Sequence, residues 1–168
     1  MTHEPDATAH VLSMELYEQP GHLIRRAQQI AVSMFHQSVG RDVTPVQYAI
    51  LQCLSESPGI DQVTLAQQVA LDTSTTADIA ARLEAKGWIH REVLPRRQRS
   101  LSLTPGGEAL LTELVPGVRA MQESLLGSFD AREQAEFMRL LRKFVHLNNE
   151  QSRAPLRRAP VADTEKDG

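Results

Sequence analysis

The sequence predicts a mainly α protein with one small β-hairpin. Three observations lead there. Apolar residues recur at spacings of three, four and seven through most of the chain, which lines one face of a helix. Capping residues stand ahead of these runs with Gln or Glu three positions on, as at Thr44-Pro45-Val46-Gln47 and from Asp130 to Glu133. The stretch Ser100 to Thr104 alternates polar and apolar residues as a half-buried strand does.

The elements follow in order. The first dozen residues are polar, although Val11, Leu12, Met14, Leu16 and Tyr17 offer some apolar surface, and Pro20-Gly21 ends that segment. From His22 to about Val39, Leu23, Ile24, Ala27, Ile30, Ala31, Met34 and Phe35 share one helical stripe, with Gly40 as the stop. Thr44-Pro45 starts the next helix, whose buried face is Tyr48, Leu51 and Leu54, and Pro58-Gly59 ends it. Thr64-Leu65-Ala66-Gln67 repeats the capping-box spacing for a short helix carrying Leu65, Ala66 and Val69. After Leu71-Asp72 come four hydroxyls, Thr73-Ser74-Thr75-Thr76, then Ile79, Leu83 and a stop at Gly87. Two short helices joined by so brief a turn make a helix-turn-helix. Trp88 to Leu94 and Ser100 to Thr104 are two strands joined by the Arg-rich turn Pro95-Arg96-Arg97-Gln98-Arg99. Thr104-Pro105 opens a long helix with Leu110, Leu111, Leu114, Val118, Met121 and Leu125, which Pro116-Gly117 should kink or interrupt. Asp130 caps a last helix bearing Phe137, Leu140, Leu141, Phe144 and Leu147. From Ser152 to Gly168 the composition reads as a disordered tail.

Composition narrows the function classes. The 168 residues are 41% hydrophobic and 23% charged, which suits a soluble globular domain with a real core. Aromatics are only 4%, too few for an aromatic cage or base-stacking platform. The start MTHEPDATAH has no basic and apolar leader pattern, and no apolar run approaches a membrane span, so a cytoplasmic protein without membrane contact is expected. The one cysteine, Cys53, makes neither an internal disulfide nor a Cys-rich zinc site. No two histidines stand four apart on one helix face, and GxSxG, P-loop, GxGxxG and HExxH patterns are missing, so no cofactor, no metal and no catalysis are expected.

Charge distribution singles out the middle of the chain. Between Arg82 and Arg99 stand Arg82, Lys86, Arg91, Arg96, Arg97 and Arg99 against Glu84 and Glu92, a segment of +4 inside a chain of −3. Arginines at a hairpin tip suit a DNA minor groove, and a helix opening with Thr73, Ser74, Thr75 and Thr76 suits the major groove. The competing reading is a solvated loop. The helix-turn-helix directly upstream favours DNA.

The stretch Thr44 to Gly107 resembles the winged helix-turn-helix of the MarR family of bacterial transcription regulators. Leu65-Ala66, the run Leu83-Glu84-Ala85-Lys86-Gly87-Trp88-Ile89-His90-Arg91 into the wing, and Leu101-Ser102-Leu103-Thr104-Pro105-Gly106-Gly107 out of it carry the likeness. The flanking helices extend it to about Gly21 to Gln151. The resemblance implies a homodimer with N- and C-terminal dimerisation helices, an N-terminal arm at 1–20, a helical dimerisation region at 21–43 and 105–151, a DNA-binding lobe at 44–104 and a tail at 152–168. It also implies a reading helix from about Ser74 to Lys86, Arg97 in the minor groove, and double-stranded DNA with pseudo-palindromic half-sites about one turn apart. The terminal Leu, Met and Phe stripes support the dimer independently, because a small lobe cannot cover them. Two positions depart from the pattern. Pro95 stands where the family usually has Asp bracing the wing arginine, and Asp78 lies on the reading helix, where it either caps the helix start or selects cytosine amino groups.

Members of this family commonly respond to small phenolic or aromatic carboxylates. His22, Arg25, Arg26 and Gln29 on the first long helix and Tyr48 on the second are the candidate polar contacts, with Met34 and Leu51 as apolar wall. Arg25 and Arg26 equally suit acids across a dimer or open water, and His22 suits a plain helix start. The run from Pro20 to Ile30 resembles regulators of aromatic-acid catabolism, which implies a hydroxybenzoate, hydroxycinnamate or hydroxynicotinate effector and a repressor. The alternatives are a redox sensor through Cys53, a metal sensor of the same fold, and a helical interaction module that never touches DNA.

Overall fold

The computed structural model describes residues 15–95 and 99–157. Its helices are α1 (Pro20–Val39), α2 (Pro45–Glu56), α3 (Gln62–Gln68), α4 (Thr73–Ala85), α5 (Pro105–Leu125) and α6 (Ala131–Leu147). The strands are β1 (Ile60–Asp61), β2 (Ile89–Val93) and β3 (Arg99–Leu103), in the order β1-β3-β2. The mainly α architecture with a hairpin wing is the one the sequence predicts. β1 is an addition: it pairs antiparallel with β3, Ile60 opposite Leu101. Two residues are too few to show alternation, so no sequence pattern marks it.

Local chemistry explains the helix ends, and in three places corrects the expectation. Pro20 opens α1 rather than closing the arm before it, because a missing N–H costs nothing in the first turn. Thr44 and Gln47 form the full reciprocal cap of α2, and Asp130 and Glu133 that of α6. α3, however, is capped by Asp61, whose carboxylate accepts from the amides of Val63 and Thr64. Thr64 thus sits inside the helix, its hydroxyl donating back to Asp61. In the same way Asp72, not an acid further along, caps α4. A carboxylate at this position is as good an acceptor as a hydroxyl and adds a charge suited to the helix dipole.

Pro116 lies within α5 without interrupting it. The neighbouring Gly117 has a packing reason: a Cβ at that position would stand 2.9 Å from the Ser38 carbonyl oxygen. Its bare surface lets α1 and α5 cross closely.

Leu51, Leu54, Leu65, Leu83, Ile89 and Leu101, all essentially without solvent exposure, fill a core between α2, α3, α4 and the sheet. Each such side chain contributes about 1.5–3 kcal/mol relative to exposure. α5 enters this core through Leu111 and Leu114, then supplies Val118 and Met121 to a second cluster around Phe35 of α1. α6 stands apart, with none of its 17 residues buried. No described helix is long and apolar enough to cross a membrane. Beyond α6, residues 152–157, read from composition as part of a tail, fold back so that the Arg157 amide donates to the Gln67 carbonyl at 3.0 Å. Leu156 supplies the apolar contact that the polar composition conceals.

Candidate nucleic-acid interface

Two adjoining elements present the candidate DNA residues. The first turn of α4 exposes Thr73 and Ser74 beside Asp72, while Thr75 is half-buried. Asp72 gathers this turn: its carboxylate accepts from the Ser74 hydroxyl at 2.7 Å, the Thr75 hydroxyl at 2.7 Å and the Thr75 amide at 2.8 Å. The Thr75 hydroxyl and amide, then the Ser74 hydroxyl, hold the Asp72 carboxyl well below the usual carboxylate range. Ser74 and Thr75 therefore have their hydroxyl protons engaged by Asp72.

Thr76 does not belong to this surface. It has no solvent exposure, and its hydroxyl donates to the Asp72 carbonyl at 2.9 Å. It shares its helix face with the buried Ala80 and Leu83, at spacings of four and three. Asp78 is exposed in the second turn, away from the cap it was a candidate for, and it has no partner among the described residues.

The wing is braced against α4 by an ion pair. Arg91 on β2 reaches Glu84 with Nε at 2.8 Å and Nη2 at 2.6 Å, and its own amide donates to the same carboxylate at 3.2 Å. The Arg91 hydrogen bond pulls the Glu84 carboxyl below its ordinary value. Lys86 is likewise occupied: Nζ donates to the Asp42 carbonyl at 2.8 Å and lies 4.4 Å from the centre of the Trp88 ring. Two of the six positive charges in this segment are thus structural. Arg82 and Arg99 are exposed. Arg96 and Arg97 lie outside the described residues, and Pro95 is exposed at the end of the strand leading to them. Where β3 leaves the wing, Gly107 meets the Trp88 carbonyl so closely that any Cβ would overlap it. This contact seats the wing on the start of α5.

The candidate effector residues fall in two groups. On the exposed flank of α1, His22 packs edge-on to Tyr17, with ring centres 5.5 Å apart, and its Nδ1 is 3.3 Å from Arg25 Nη2. Arg26 donates to Gln29 at 3.2 Å. Neither arginine has an acid partner among the described residues. Met34 and Tyr48 lie further on, half-buried against the Phe35 cluster, with Tyr48 edge-on to Phe35 at 6.0 Å. Burial, and then Glu56, push the Tyr48 hydroxyl pKa up. Leu51 is fully buried in the lobe core and cannot line a ligand cavity. The open groove beside Tyr48, about 610 Å³, is lined by Gln52, Cys53, Glu56, Gln68 and Leu156 and contains none of the α1 candidates. Cys53 donates to Gln68 at 3.0 Å, and burial raises its thiol pKa, which disfavours the reactive thiolate. Among the described residues no group of His, Cys, Asp and Glu could hold a metal ion.

Comparison with known proteins agrees with this geometry. Residues 43–101 match the MarR family model, the span from the α1–α2 loop to β3. The transcriptional regulator HosA of Escherichia coli is 36% identical over 107 residues, covering 62% of this chain and 79% of HosA. The chain belongs to the MarR family. Among solved MarR-like structures, PcaV of Streptomyces coelicolor, in complex with its natural ligand, aligns with a TM-score of 0.76 at 34% identity, over 80% of this chain and 96% of PcaV. BpsR of Bordetella bronchiseptica, whose DNA binding is regulated by 6-hydroxynicotinic acid, aligns with a TM-score of 0.74 at 30% identity, over 79% of this chain and 98% of BpsR. As a MarR-family protein the chain is a transcription regulator, and α3 and α4 are its helix-turn-helix.

The site residues that sequence reasoning missed are Asp72, which organises the reading turn, and the Glu84–Arg91 pair. Asp72 had a signal, an acid three residues before Thr75 with its amide. Glu84 and Arg91 stand seven apart across a helix end and a strand, a spacing with no rule attached.

Proposed function

We propose that the chain is a cytoplasmic, homodimeric repressor that reads a pseudo-palindromic operator and releases it on binding a small aromatic carboxylate. The observation carrying this reading is the reading head itself: an exposed hydroxyl-bearing first turn of α4, locked by the Glu84–Arg91 pair to a wing that exposes Arg99. Thr73, Ser74, Thr75 and Arg82 face the major groove, with Arg96, Arg97 and Arg99 at the minor groove. Residues 44–104 form the DNA-binding lobe, and 21–43 with 105–151 form the dimerisation region. The exposed Phe137, Leu140, Leu141 and Phe144 of α6 supply the apolar surface that a second copy covers. A dimer straddling promoter DNA blocks polymerase without an activation surface, hence repression. No catalytic step is assigned to any residue.

The effector reading rests on the uncompensated Arg25 and Arg26 beside His22 and Gln29 near the start of α1, and Met34 and Tyr48, further along against the Phe35 cluster, are the apolar candidates. An anionic ring needs one cationic fork and an apolar side. The likeness to BpsR supports a hydroxylated aromatic acid. Such a ligand acts only through its differential affinity for DNA-competent and incompetent dimers.

Fluorescence anisotropy on a duplex from upstream of the chain's own gene tests both halves. Binding should weaken by roughly a thousandfold between about 50 and 200 mM salt. One of a panel of hydroxybenzoates, hydroxycinnamates and hydroxynicotinates should release it. No binding to promoter DNA would overturn the regulator in favour of a protein-interaction module, and tight binding that none of them releases would overturn the effector class.

A further inference from the structure

The chain after α6 forms a fastener. A 3₁₀ turn at Asn149–Gln151 reverses the chain, and Asn149 clips the returning segment with both ends of its amide. Its Oδ1 accepts from the Leu156 amide at 2.8 Å, and its Nδ2 donates to the Leu156 carbonyl at 3.2 Å. One residue on, the Arg157 amide donates to the Gln67 carbonyl in the last turn of α3. The Leu156 side chain, held between these bonds, is the one residue shared by two grooves. One runs along α6 past Leu141, Val145 and His146, and the other lies between α2 and α3 at Tyr48, Cys53 and Val69. It is 37% exposed, so it seats in these grooves only in part. Arg157, by contrast, has its guanidinium 61% exposed and 3.9 Å from Glu150, a contact too open to hold the segment.

We propose that residues 149–157 are a strap that locks the reading lobe onto α6, with Leu156 as the bolt, and so presets the separation of the two lobes for DNA. The proposal rests on the reading of α3 and α4 as the DNA reader and of α6 as the dimer helix. α6 carries no buried residue of its own, so a bond from its end to the first helix of the helix-turn-helix joins two parts that need a defined mutual angle. The strap acts by pre-organisation: a lobe that is free to swing occupies the operator-competent angle only part of the time, and apparent affinity falls by that fraction.

Three full-length variants test it: Leu156→Asp, Asn149→Ala and Arg157→Ala. Hydrogen exchange at the residue-157 amide reports the lock, and anisotropy on the upstream duplex reports its consequence. Leu156→Asp and Asn149→Ala should speed that exchange and weaken DNA binding by about tenfold with the dimer intact, as for a competent fraction near one in ten. Arg157→Ala keeps the backbone N–H and should change neither. A loss with Arg157→Ala equal to that of Leu156→Asp, with a salt slope reduced by about one, would overturn the strap in favour of a direct phosphate contact. Faster exchange with unaltered DNA affinity would overturn the presetting role. Should the wild-type chain bind no DNA, the regulator reading fails on its own; rapid wild-type exchange at Arg157 then overturns the lock, and slow exchange that Leu156→Asp abolishes upholds it.

Discussion

The reading lobe and helix α6 are built on opposite plans. Within the lobe, α2 puts Ile50, Leu51 and Leu54 entirely out of solvent. α6 has a better-marked apolar stripe, yet Phe144 is 49% and Leu140 48% exposed. The lobe closes its core within one chain. The α6 stripe has the composition of a core and the exposure of a surface, which marks it as half of an interface. A stripe in sequence thus says that a face will be covered, and only the packing says by which molecule.

Four perturbations probe this contrast, from the largest effect to the smallest. Leu54→Ala should destabilise the lobe by about 2–5 kcal/mol in urea unfolding, as a void in a closed core does. A cost below about 1 kcal/mol would show a core that collapses around the void. The pair Leu140→Glu with Phe144→Glu should leave the lobe folded while sedimentation shows monomers. Losing the linked second half-site should then weaken operator binding by about a hundredfold, the low end of an avidity effect. A dimer that survives would move the interface elsewhere.

Arg97→Ala tests the wing. It should weaken operator binding by about 1–3 kcal/mol with dimer and unfolding midpoint unchanged, measured by anisotropy. Equal affinity would remove Arg97 from the interface. Asp72→Ala should be the mildest, fraying the first turn of α4, which exchange at the Thr75 and Thr76 amides detects. The same fraying should follow acidification of the wild type. The Asp72 carboxyl is depressed in the folded state, so its stabilisation is complete above its ordinary value near 4 and is lost as pH falls below that. Protection unaltered down to pH of about 3 would leave the cap without a role in stability.

Most of the helical framework was legible in the sequence, because periodic stripes and reciprocal caps are local signals. The boundaries of α2 and α6 are where Thr44 and Asp130 put them. Legibility failed where two local signals competed, as at α3, where Asp61 and Thr64 are both good caps three residues apart. It failed too where one residue decided, as Leu156 does within Arg and Pro. At the site, the hydroxyl cluster was visible as a group, but its division was not. Thr76 belongs to the core because it stands four before Ala80 and seven before Leu83, a stripe that its hydroxyl disguises. The availability of the positive segment was misjudged for a related reason, since a net charge does not tell which cations are occupied, as Arg91 is by Glu84 and Lys86 by the Asp42 carbonyl.

The passage of α5 through both apolar clusters has a consequence for biosynthesis. Leu111 and Leu114 complete the lobe core, and Val118 and Met121 complete the cluster around Phe35. A nascent chain that has emerged only as far as the wing therefore holds an unfinished lobe core. Both clusters close within about three turns of one helix leaving the ribosome. The lobe core and the α1–α5 cluster then close almost together, while the apolar stripe of α6 is still to emerge.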